Sequence, residues 1–244
     1  MLDSPGYAFR RSRIRSARQN HESMRKNLVI ISAGALGREV LGWATDAIAY
    51  GARWRVKGFL DSKPDALAGY GIDLPVLGSV TDYRIEPEDE FVGAVADPKT
   101  KVKCIKPILD GGGTFVSVVH PLAKRGRNVE VGTGSVLAPY SVLDCDLRVG
   151  SFVTVLPFST FGHDVQVGDW CQVSSHCGVN GRATLGQGVF LGSHACIIPG
   201  VRVGDWAYVG AGSVVITEVH TGTKVFGNPA RTVSMSQSTD PAER

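Results

Sequence analysis

The 244-residue chain lacks the long apolar runs and the large net charge that mark two common classes of protein. No apolar stretch approaches the ~20 residues that cross a membrane as a helix. The formal net charge is only +3, which is too small to argue for a nucleic-acid partner. We predict that residues 1–26 form a basic, disordered tail, with an anchor for anionic surfaces as the alternative. Its basic residues are Arg10, Arg11, Arg13, Arg15, Arg18, Arg25 and Lys26.

The five cysteines lack the framework of a secreted protein. They show no disulfide spacing and no signal peptide precedes them, so we expect a cytoplasmic protein with reduced thiols. The sequence also lacks a CxxC pair. A metal site built from His176, Cys177, His194 and Cys196 is an alternative, but alternate residues of a strand point to opposite faces. We therefore expect no metal.

A strict period of six residues runs through the second half of the chain. From Val131 to Val215 every sixth residue is apolar, without an insertion. A helix has a period of 3.6 and a strand a period of 2, so neither explains the pattern. A hexapeptide repeat is typical of a solenoid whose coils each contain three short strands. The alternative, a β-sandwich, would show varied spacing and alternating patterns.

A second period, of eighteen residues, corresponds to one triangular coil. Glycine follows the apolar residue at positions 132, 150, 168, 186 and 204. We expect these glycines to stack along one corner, where a tight turn needs positive φ. Small residues four places after the apolar ones should fit near the corners of the prism. They are Ser135, Ser141, Ser159, Cys171, Cys177, Ala183, Ala195, Ala207 and Ser213.

Strands and helices alternate over residues 27–120, which predicts a small parallel α/β domain. A strand at 28–31 runs through Gly34, Ala35, Leu36 and Gly37 into a helix, an arrangement that can cradle a phosphate. A second strand ends at Asp61 and Ser62, where an acid can bond a ribose hydroxyl or a base. The alternatives are a tight turn without ligand and an ordinary polar strand end.

The domain is too short for a complete dinucleotide-binding fold, and half of one, holding a mononucleotide, fits better. A further strand and turn are expected at 75–79, including Gly78. A later helix carries a run of lysines that we expect to face mostly solvent. They are Lys99, Lys101, Lys103 and Lys106.

Several motifs together resemble a family of sugar acetyltransferases. They are the Gly34-x-x-Gly37 turn, Phe59-Leu60-Asp61, the run from His163 to Asp169, VGAGS at 209–213 and GNPA at 227–230. Over residues 27–232 the chain is similar to hexapeptide-repeat enzymes typified by sialic acid O-acetyltransferase and by bacillosamine-type and perosamine-type N-acetyltransferases. The resemblance implies a left-handed parallel β-helix at 121–232 after a half-Rossmann-like α/β domain at 27–120. It also implies a homotrimer with active sites between subunits and acetyl-CoA as co-substrate. The remaining residues, 233–244, are expected to be disordered.

The resemblance also assigns residues to the site. His163 takes the place of the catalytic base and Asp164 that of the acid beside it. Gly34, Ala35, Leu36, Gly37, Asp61, Ser62 and Gly78 would hold a nucleotide-linked sugar. Acetyl-CoA would contact Gln172, Gly192, Ser193, Gly210, Ala211 and Gly212, with Lys224 or Arg231 near its phosphates. Two departures stand out, since Gln172 and Leu36 both occupy positions where members often carry histidine.

These residue types suit acetyl transfer. A histidine titrates near pH 6.5 and can remove the proton that the acceptor loses as it attacks a thioester. A backbone N–H at a coil corner can stabilise the oxyanion. We expect transfer from acetyl-CoA to the amine of a nucleotide-linked amino sugar, in polysaccharide or glycan synthesis. The alternatives are O-acetylation of a sialic acid-type sugar and a non-catalytic scaffold or sugar-nucleotide sensor.

Other side chains offer competing interpretations. His163 could be a solvated surface histidine, with His176 or His194 as the base instead. His176 and His194 lie one coil apart and should stack. Trp170 and Trp206 are expected to pack between subunits or against a turn rather than to serve as sugar platforms.

Overall fold

A computed structural model describes residues 26–233 as an α/β unit followed by a long β-helix. Of the predicted tails at 1–26 and 233–244, residues 1–25 and 234–244 lie outside the described residues. Within residues 26–233, no helix combines the length and the apolar character needed to cross a membrane.

The N-terminal unit is a four-stranded parallel sheet with two helices. Its elements are β1 (Lys26–Ile31), α1 (Ala35–Ala49), β2 (Trp54–Leu60), β3 (Asp89–Gly93), α2 (Pro98–Asp110) and β4 (Thr114–Phe115). The strand order is β2-β1-β3-β4, with β1 and β3 in the middle. The central strand is buried from Leu28 to Ile31, as expected for an apolar run that helices cover on both faces. The predicted α/β domain is confirmed.

Two details of this unit differ from the prediction. Lys26 is the first residue of β1 and pairs with Trp54, so it belongs to the sheet rather than to the tail. The segment at 75–79 contributes only a single bridge, between Phe59 and Val76.

Residues 118–233 form a triangular prism of three sheets. The first face contains β7 (Glu130–Val131), β10 (Arg148–Val149), β13 (Gln166–Val167), β16 (Thr184–Leu185) and β19 (Arg202–Val203). The second contains β5 (Val118–Val119), β8 (Val136–Leu137), β11 (Thr154–Val155), β14 (Gln172–Val173), β17 (Phe190–Leu191), β20 (Tyr208–Val209), β22 (Lys224–Phe226) and β23 (Arg231–Thr232). The third contains β6 (Lys124–Arg125), β9 (Val142–Leu143), β12 (Thr160–Phe161), β15 (Gly178–Val179), β18 (Cys196–Ile197) and β21 (Val214–Val215).

We call the turn after each face the first, second or third corner. Every strand from β7 to β21 ends on an apolar residue of the six-residue period, and nearly all of these side chains fill the core of the prism. The small residues predicted at the corners are buried as well. The parallel β-helix is therefore confirmed, and its first strand, β5, pairs with β8 three residues before the predicted start at 121.

The reason for the eighteen-residue glycine period is different from the one predicted. Positive φ angles occur two residues later on the first corner, at Gly134, Phe152, Trp170, Gly188 and Trp206. The glycines are required because successive coils approach too closely for a Cβ. A Cβ on Gly168, for example, would lie 2.7 Å from the backbone nitrogen of Gln187 in the next coil.

Replacing Gly168 by alanine should therefore destabilise the prism. We expect Gly168→Ala to lower the free energy of unfolding by ~1–3 kcal/mol, the usual cost of forcing extra atoms into a packed site. Gly178→Ala is the matched control, because an added Cβ there meets no atom closer than 3.9 Å. Denaturant unfolding of both variants checks this, and equal stabilities would refute it.

One lysine of the predicted solvent-facing run is buried. Lys99, Lys103 and Lys106 are exposed, but Lys101 is 1% exposed. Its Nζ donates to the carbonyl oxygens of Phe152 (3.2 Å) and Cys171 (3.1 Å) and to Oγ1 of Thr154 (3.0 Å). The prediction was wrong at Lys101 because this turn of α2 faces the second face of the prism. The lysine thus joins the α/β unit to two successive coils.

Burial lowers the pKa of Lys101 to about 7, against an ordinary value of ~10.4 in the unfolded chain. Between these values the unfolded chain binds more protons, so stability should rise with pH, by at most ~1.4 kcal/mol per pH unit for one proton. We expect Lys101→Met to flatten the rise measured between about pH 7.5 and 8.5. Lys106→Met, an exposed lysine on the same helix, should keep the wild-type slope.

The buried thiols restrict this test to the window below pH ~9. Burial raises the pKa of Cys171 to about 12 and that of Cys177 to about 11. Above the ordinary thiol value the unfolded chain loses these protons first, and stability then falls with pH. An unchanged slope in Lys101→Met within the window would show that Lys101 keeps an ordinary proton affinity.

Candidate functional site

The strongest candidate for catalysis lies on the third corner, directly after β12. His163 and Asp164 follow Gly162 there, and Asp164 adopts a left-handed φ of 61°. The Asp164 Oδ2 atom lies 2.8 Å from Nδ1 of His163. Both side chains are about half exposed, at 51% and 56%, so a substrate can reach them.

This contact determines which nitrogen of His163 is available. An ionised carboxylate can only accept, so Nδ1 carries the hydrogen and Nε2 of the neutral ring has a free lone pair. The carboxylate also fixes the orientation of the ring. The pair can therefore act as a general base at Nε2.

Gly181, which the sequence analysis did not identify, supports this ring. It lies eighteen residues after His163, at the equivalent place in the next coil. A Cβ on Gly181 would lie 2.6 Å from Nε2 of His163, so only glycine leaves room for the imidazole. The eighteen-residue period already present in the sequence could have identified this position.

The coils beside His163 carry charges of both signs on the third corner, since Arg127 lies 3.6 Å from Asp146 and Arg182 follows Gly181. The backbone nitrogen of Asp164 donates to the carbonyl oxygen of Cys145 (3.2 Å), and Asp144 and Asp146 flank that cysteine. Hydrogen bonds from Asn128, Cys145 and Arg127 lower the pKa of Asp146, with that from Asn128 the largest cause. The hydrogen bond with Asp146 in turn raises the pKa of Cys145. The thiol is therefore protonated at neutral pH and a poor nucleophile.

The small residues assigned to acetyl-CoA lie together on the second corner. Gly192 and Ser193 occupy one coil, and Gly210, Ala211 and Gly212 occupy the next. The two coils touch closely, since a Cβ on Gly192 would lie 2.5 Å from the nitrogen of Ala211. Within one chain the third face separates this corner from His163, so the two parts are not brought together.

Gln172 lies on the outer side of the second face, in register with Thr154 and Phe190. It is 1% exposed, and its amide nitrogen and oxygen have no hydrogen-bond partner among residues 26–233. A buried polar group without a partner costs ~1–3 kcal/mol. The amide therefore gains from any ligand or rearrangement that supplies a partner.

The two candidate phosphate-binding residues, Lys224 and Arg231, lie in two clefts away from His163. Lys224 lines a cleft of about 320 Å³ with Phe190, Tyr208 and, from the start of α2, Lys99. Arg231 lines a second cleft, of about 390 Å³, at the far end of the prism. Neither cleft includes His163.

The predicted nucleotide-binding turn sits at the carboxyl edge of the N-terminal sheet. The Oγ of Ser32 accepts from the nitrogen of Gly34 (3.2 Å). Gly37 is packed against the carbonyl of Ser32 and has no room for a side chain. Leu36 is half-buried and packs against the apolar core of the unit.

Asp61 holds this edge together. Its carboxylate accepts from the backbone nitrogens of Ala33 (2.9 Å) and Lys63 (3.0 Å), and its own nitrogen donates to the carbonyl of Gly78 (2.9 Å). Ser62 is exposed beside it. The structure thus gathers the predicted residues of the N-terminal unit at one edge, where parallel sheets commonly bind ligands.

The competing aromatic and histidine residues lie on other corners. His176 and His194 stack as predicted, with ring centroids 4.7 Å apart and planes 1° from parallel. Trp170 stacks on Phe152 at 4.2 Å, and the ring of Trp206 covers Gly188. Across the described part of the chain, no group of three or more His, Cys, Asp or Glu side chains could hold a metal ion.

Comparisons with known proteins agree with this architecture. The family model described as bacterial transferase hexapeptide (six repeats) matches residues 182–217. Among solved structures, the acetyltransferase domain of PglB from Neisseria gonorrhoeae is similar with a TM-score of 0.77 and 24% identity, over 86% of this chain and 100% of that one. No curated protein matches the chain.

Two further structures show the same fold. PerB from Caulobacter crescentus, in complex with CoA and GDP-perosamine, gives a TM-score of 0.77 at 24% identity, over 85% of this chain and 97% of that one. WeeI from Acinetobacter baumannii gives 0.74 at 24% identity, over 84% and 99%. The predicted resemblance and the left-handed β-helix after an α/β unit are thereby confirmed.

Gly181→Ala should impair any activity that depends on His163, because the new Cβ displaces the imidazole from its place over the next coil. We expect acetyl-transfer kcat/KM to fall at least about ten-fold, as misplacing a catalytic group by about 1 Å can cost up to about 100-fold. Gly178→Ala, in the same coil and with room for a Cβ, should keep wild-type activity. Equal activities of the two variants would show that the ring does not need Gly181.

Proposed function

We propose that the protein transfers an acetyl group from acetyl-CoA to the amine of a nucleotide-linked amino sugar. The observation that carries this proposal is the His163–Asp164 pair, joined at 2.8 Å on an exposed corner of a hexapeptide-repeat prism. The similar structures add support, since PglB is described with acetyl coenzyme A and PerB with CoA and GDP-perosamine.

The residues define a mechanism without a covalent enzyme intermediate. The acceptor nitrogen attacks the thioester carbonyl while Nε2 of His163 removes its proton, so that a C–N bond forms. The tetrahedral intermediate then collapses, the C–S bond breaks, and the imidazolium returns the proton to the departing thiolate. Asp164 stabilises the imidazolium in between. A protonated Cys145 takes no part as nucleophile.

We propose an amine rather than a hydroxyl as acceptor because a similar structure is that of a perosamine N-acetyltransferase from Caulobacter crescentus. A free amino sugar is cationic at neutral pH and must first release one proton to solvent. His163 then accepts the second proton, which the nitrogen loses as it attacks. O-acetylation of a sugar would use the same base and groove, and it is the second candidate for this site.

Two substrates require two further surfaces. The sheet edge at Gly34, Asp61 and Gly78 would hold the nucleotide of the acceptor. The second-corner groove would hold the pantetheine of the donor, with Lys224 or Arg231 near the phosphates. Gln172 is 1% exposed, and its amide would bond the acetyl carbonyl through a rearrangement that uncovers it.

Because the donor groove and His163 lie on different corners, a neighbouring copy must bring them together. We therefore propose a homotrimer with its sites between subunits. The five free cysteines fit work in the reducing cytoplasm. Synthesis of surface polysaccharide or of a glycan precursor would use such a product.

Release of CoA thiol from acetyl-CoA tests the proposed activity. The acceptors are UDP-, GDP- and dTDP-linked amino sugars together with sialic acid. We expect one of the amino sugars to support release, and His163→Ala to lower kcat by about 10²–10⁴, the usual contribution of a general base. His220→Ala, another exposed histidine, is the control.

Thermal shift with CoA distinguishes the alternatives. A ligand of the folded state raises the melting temperature, and His163→Ala should retain this shift because it removes the base and leaves the groove. Near-wild-type kcat in His163→Ala would refute the mechanism. No release with any acceptor and no CoA shift would favour a scaffold, and release with sialic acid alone would favour O-acetylation.

A further inference from the structure

A ladder of four stacked rings runs along the second corner, one ring per coil. It consists of Tyr140, Phe158, His176 and His194. Successive ring centroids are 5.1, 4.9 and 4.7 Å apart, and the planes differ by 8°, 14° and 1°. All four rings are exposed, and all four residues adopt a left-handed φ between 61° and 63°.

The ladder ends at His194, although the corner itself continues. The equivalent residue of the next coil is Gly212, with a φ of 68°. Its nitrogen donates to the carbonyl of Ser193 (2.8 Å), just as that of His194 donates to Ser175 (3.0 Å). The backbone turn is therefore the same, and only the side chain is missing.

The fifth position of the ladder, at Gly212, has room for a side chain. No atom lies within 4 Å of a Cβ placed there, and Gly212 itself puts no side chain beside the exposed imidazole of His194. We call this vacant fifth position the gap. The first corner provides a contrast. There the gap at Gly188 is filled by the protein itself, because the indole of Trp206 lies over that glycine.

We propose that the gap beside His194 is a stacking site for the adenine ring of the acetyl-CoA donor. A flat heteroaromatic ring can take the fifth place in the ladder, because stacking on an aromatic side chain requires only a π-face. The proposal rests on the proposed function for the identity of the donor. It adds a residue, His194, that holds the donor's nucleotide end.

The location favours the donor's base over the base of the acceptor. The acceptor nucleotide is assigned to the N-terminal unit, whose helix α1 packs against β5 in the first coil. The coil of Gly212 contains β20, which lies five strand spacings along the second face from β5. At ~4.8 Å per strand this is ~24 Å. Gly210 and Ala211, assigned to the donor groove, adjoin Gly212 directly.

Equilibrium binding to the full-length protein tests the proposal without any turnover. The probes are CoA, adenosine 3′,5′-bisphosphate, which carries the ring without the pantetheine arm, and phosphopantetheine, which carries the arm without the ring. UDP and GDP represent the acceptor's base. Calorimetry gives a Kd for each probe.

Two variants remove the site in opposite ways. His194→Asn deletes the ring with a residue that tolerates left-handed φ. Gly212→His fills the gap with a ring that the same turn already accepts at His176 and His194. Gly112→His is the control outside the prism, directly after α2, since Gly112 also has a left-handed φ, of 84°, and open space around it.

We expect both second-corner variants to weaken CoA and adenosine 3′,5′-bisphosphate by about ten-fold, within the range measured for stacked bases. In His194→Asn the affinity for phosphopantetheine should not change, and Gly112→His should bind every probe as the wild type does. If Gly212→His does not fold, His194→Asn alone decides.

Unchanged affinity for CoA in His194→Asn would overturn the proposal. A selective loss of UDP or GDP binding would overturn it as well, because the gap would then serve the acceptor. If CoA binding depends on the ring of His194 but no acceptor is acetylated, the stacking site is supported and only the proposed function is refuted.

Discussion

The distance between successive coils is the constraint on which the rest of the structure depends. The strands of the prism pair in parallel with their equivalents eighteen residues away, and at the start of each first corner the backbones come so close that a Cβ does not fit. This contact keeps every coil in register with the next. The register then aligns side chains of equal position into rows, including the aromatic ladder and the row that contains His163 and Gly181.

Much of the prism could be predicted because each position of the six-residue repeat accepts only one kind of side chain in the core. The apolar residue of each hexad, the small residue four places later and the glycine at each first corner all follow from packing inside a narrow triangle. The first strand of the prism, β5, lies before the predicted bounds, because Arg125 occupies an apolar position of the period and interrupts it ahead of Val131. The role of the corner glycines was also misassigned, because the sequence shows a period but not whether the missing Cβ relieves a φ angle or a clash.

The contacts between the two units were much harder to predict. Lys101 belongs to an apparently solvated row of lysines, and only the docking of α2 on the second face reveals that it is buried with three acceptors. Gln172 is similar, since a polar residue on the outer side of a strand looks exposed in the sequence, yet this one is 1% exposed. His163 and Asp164 could be identified, but the ring's dependence on Gly181 required the coil-to-coil geometry.

The last strand of the second face has a consequence for solubility. A stack of parallel coils presents open strand edges at its end, and a second prism could add to them and extend the stack indefinitely. β23 runs antiparallel to β22, so the second face ends on a strand of the opposite direction, with exposed Arg231 and Thr232. An incoming coil cannot continue three parallel ladders at once on such an end. This reversal at β23 thus opposes end-to-end growth of the prism into fibres, a role separate from catalysis.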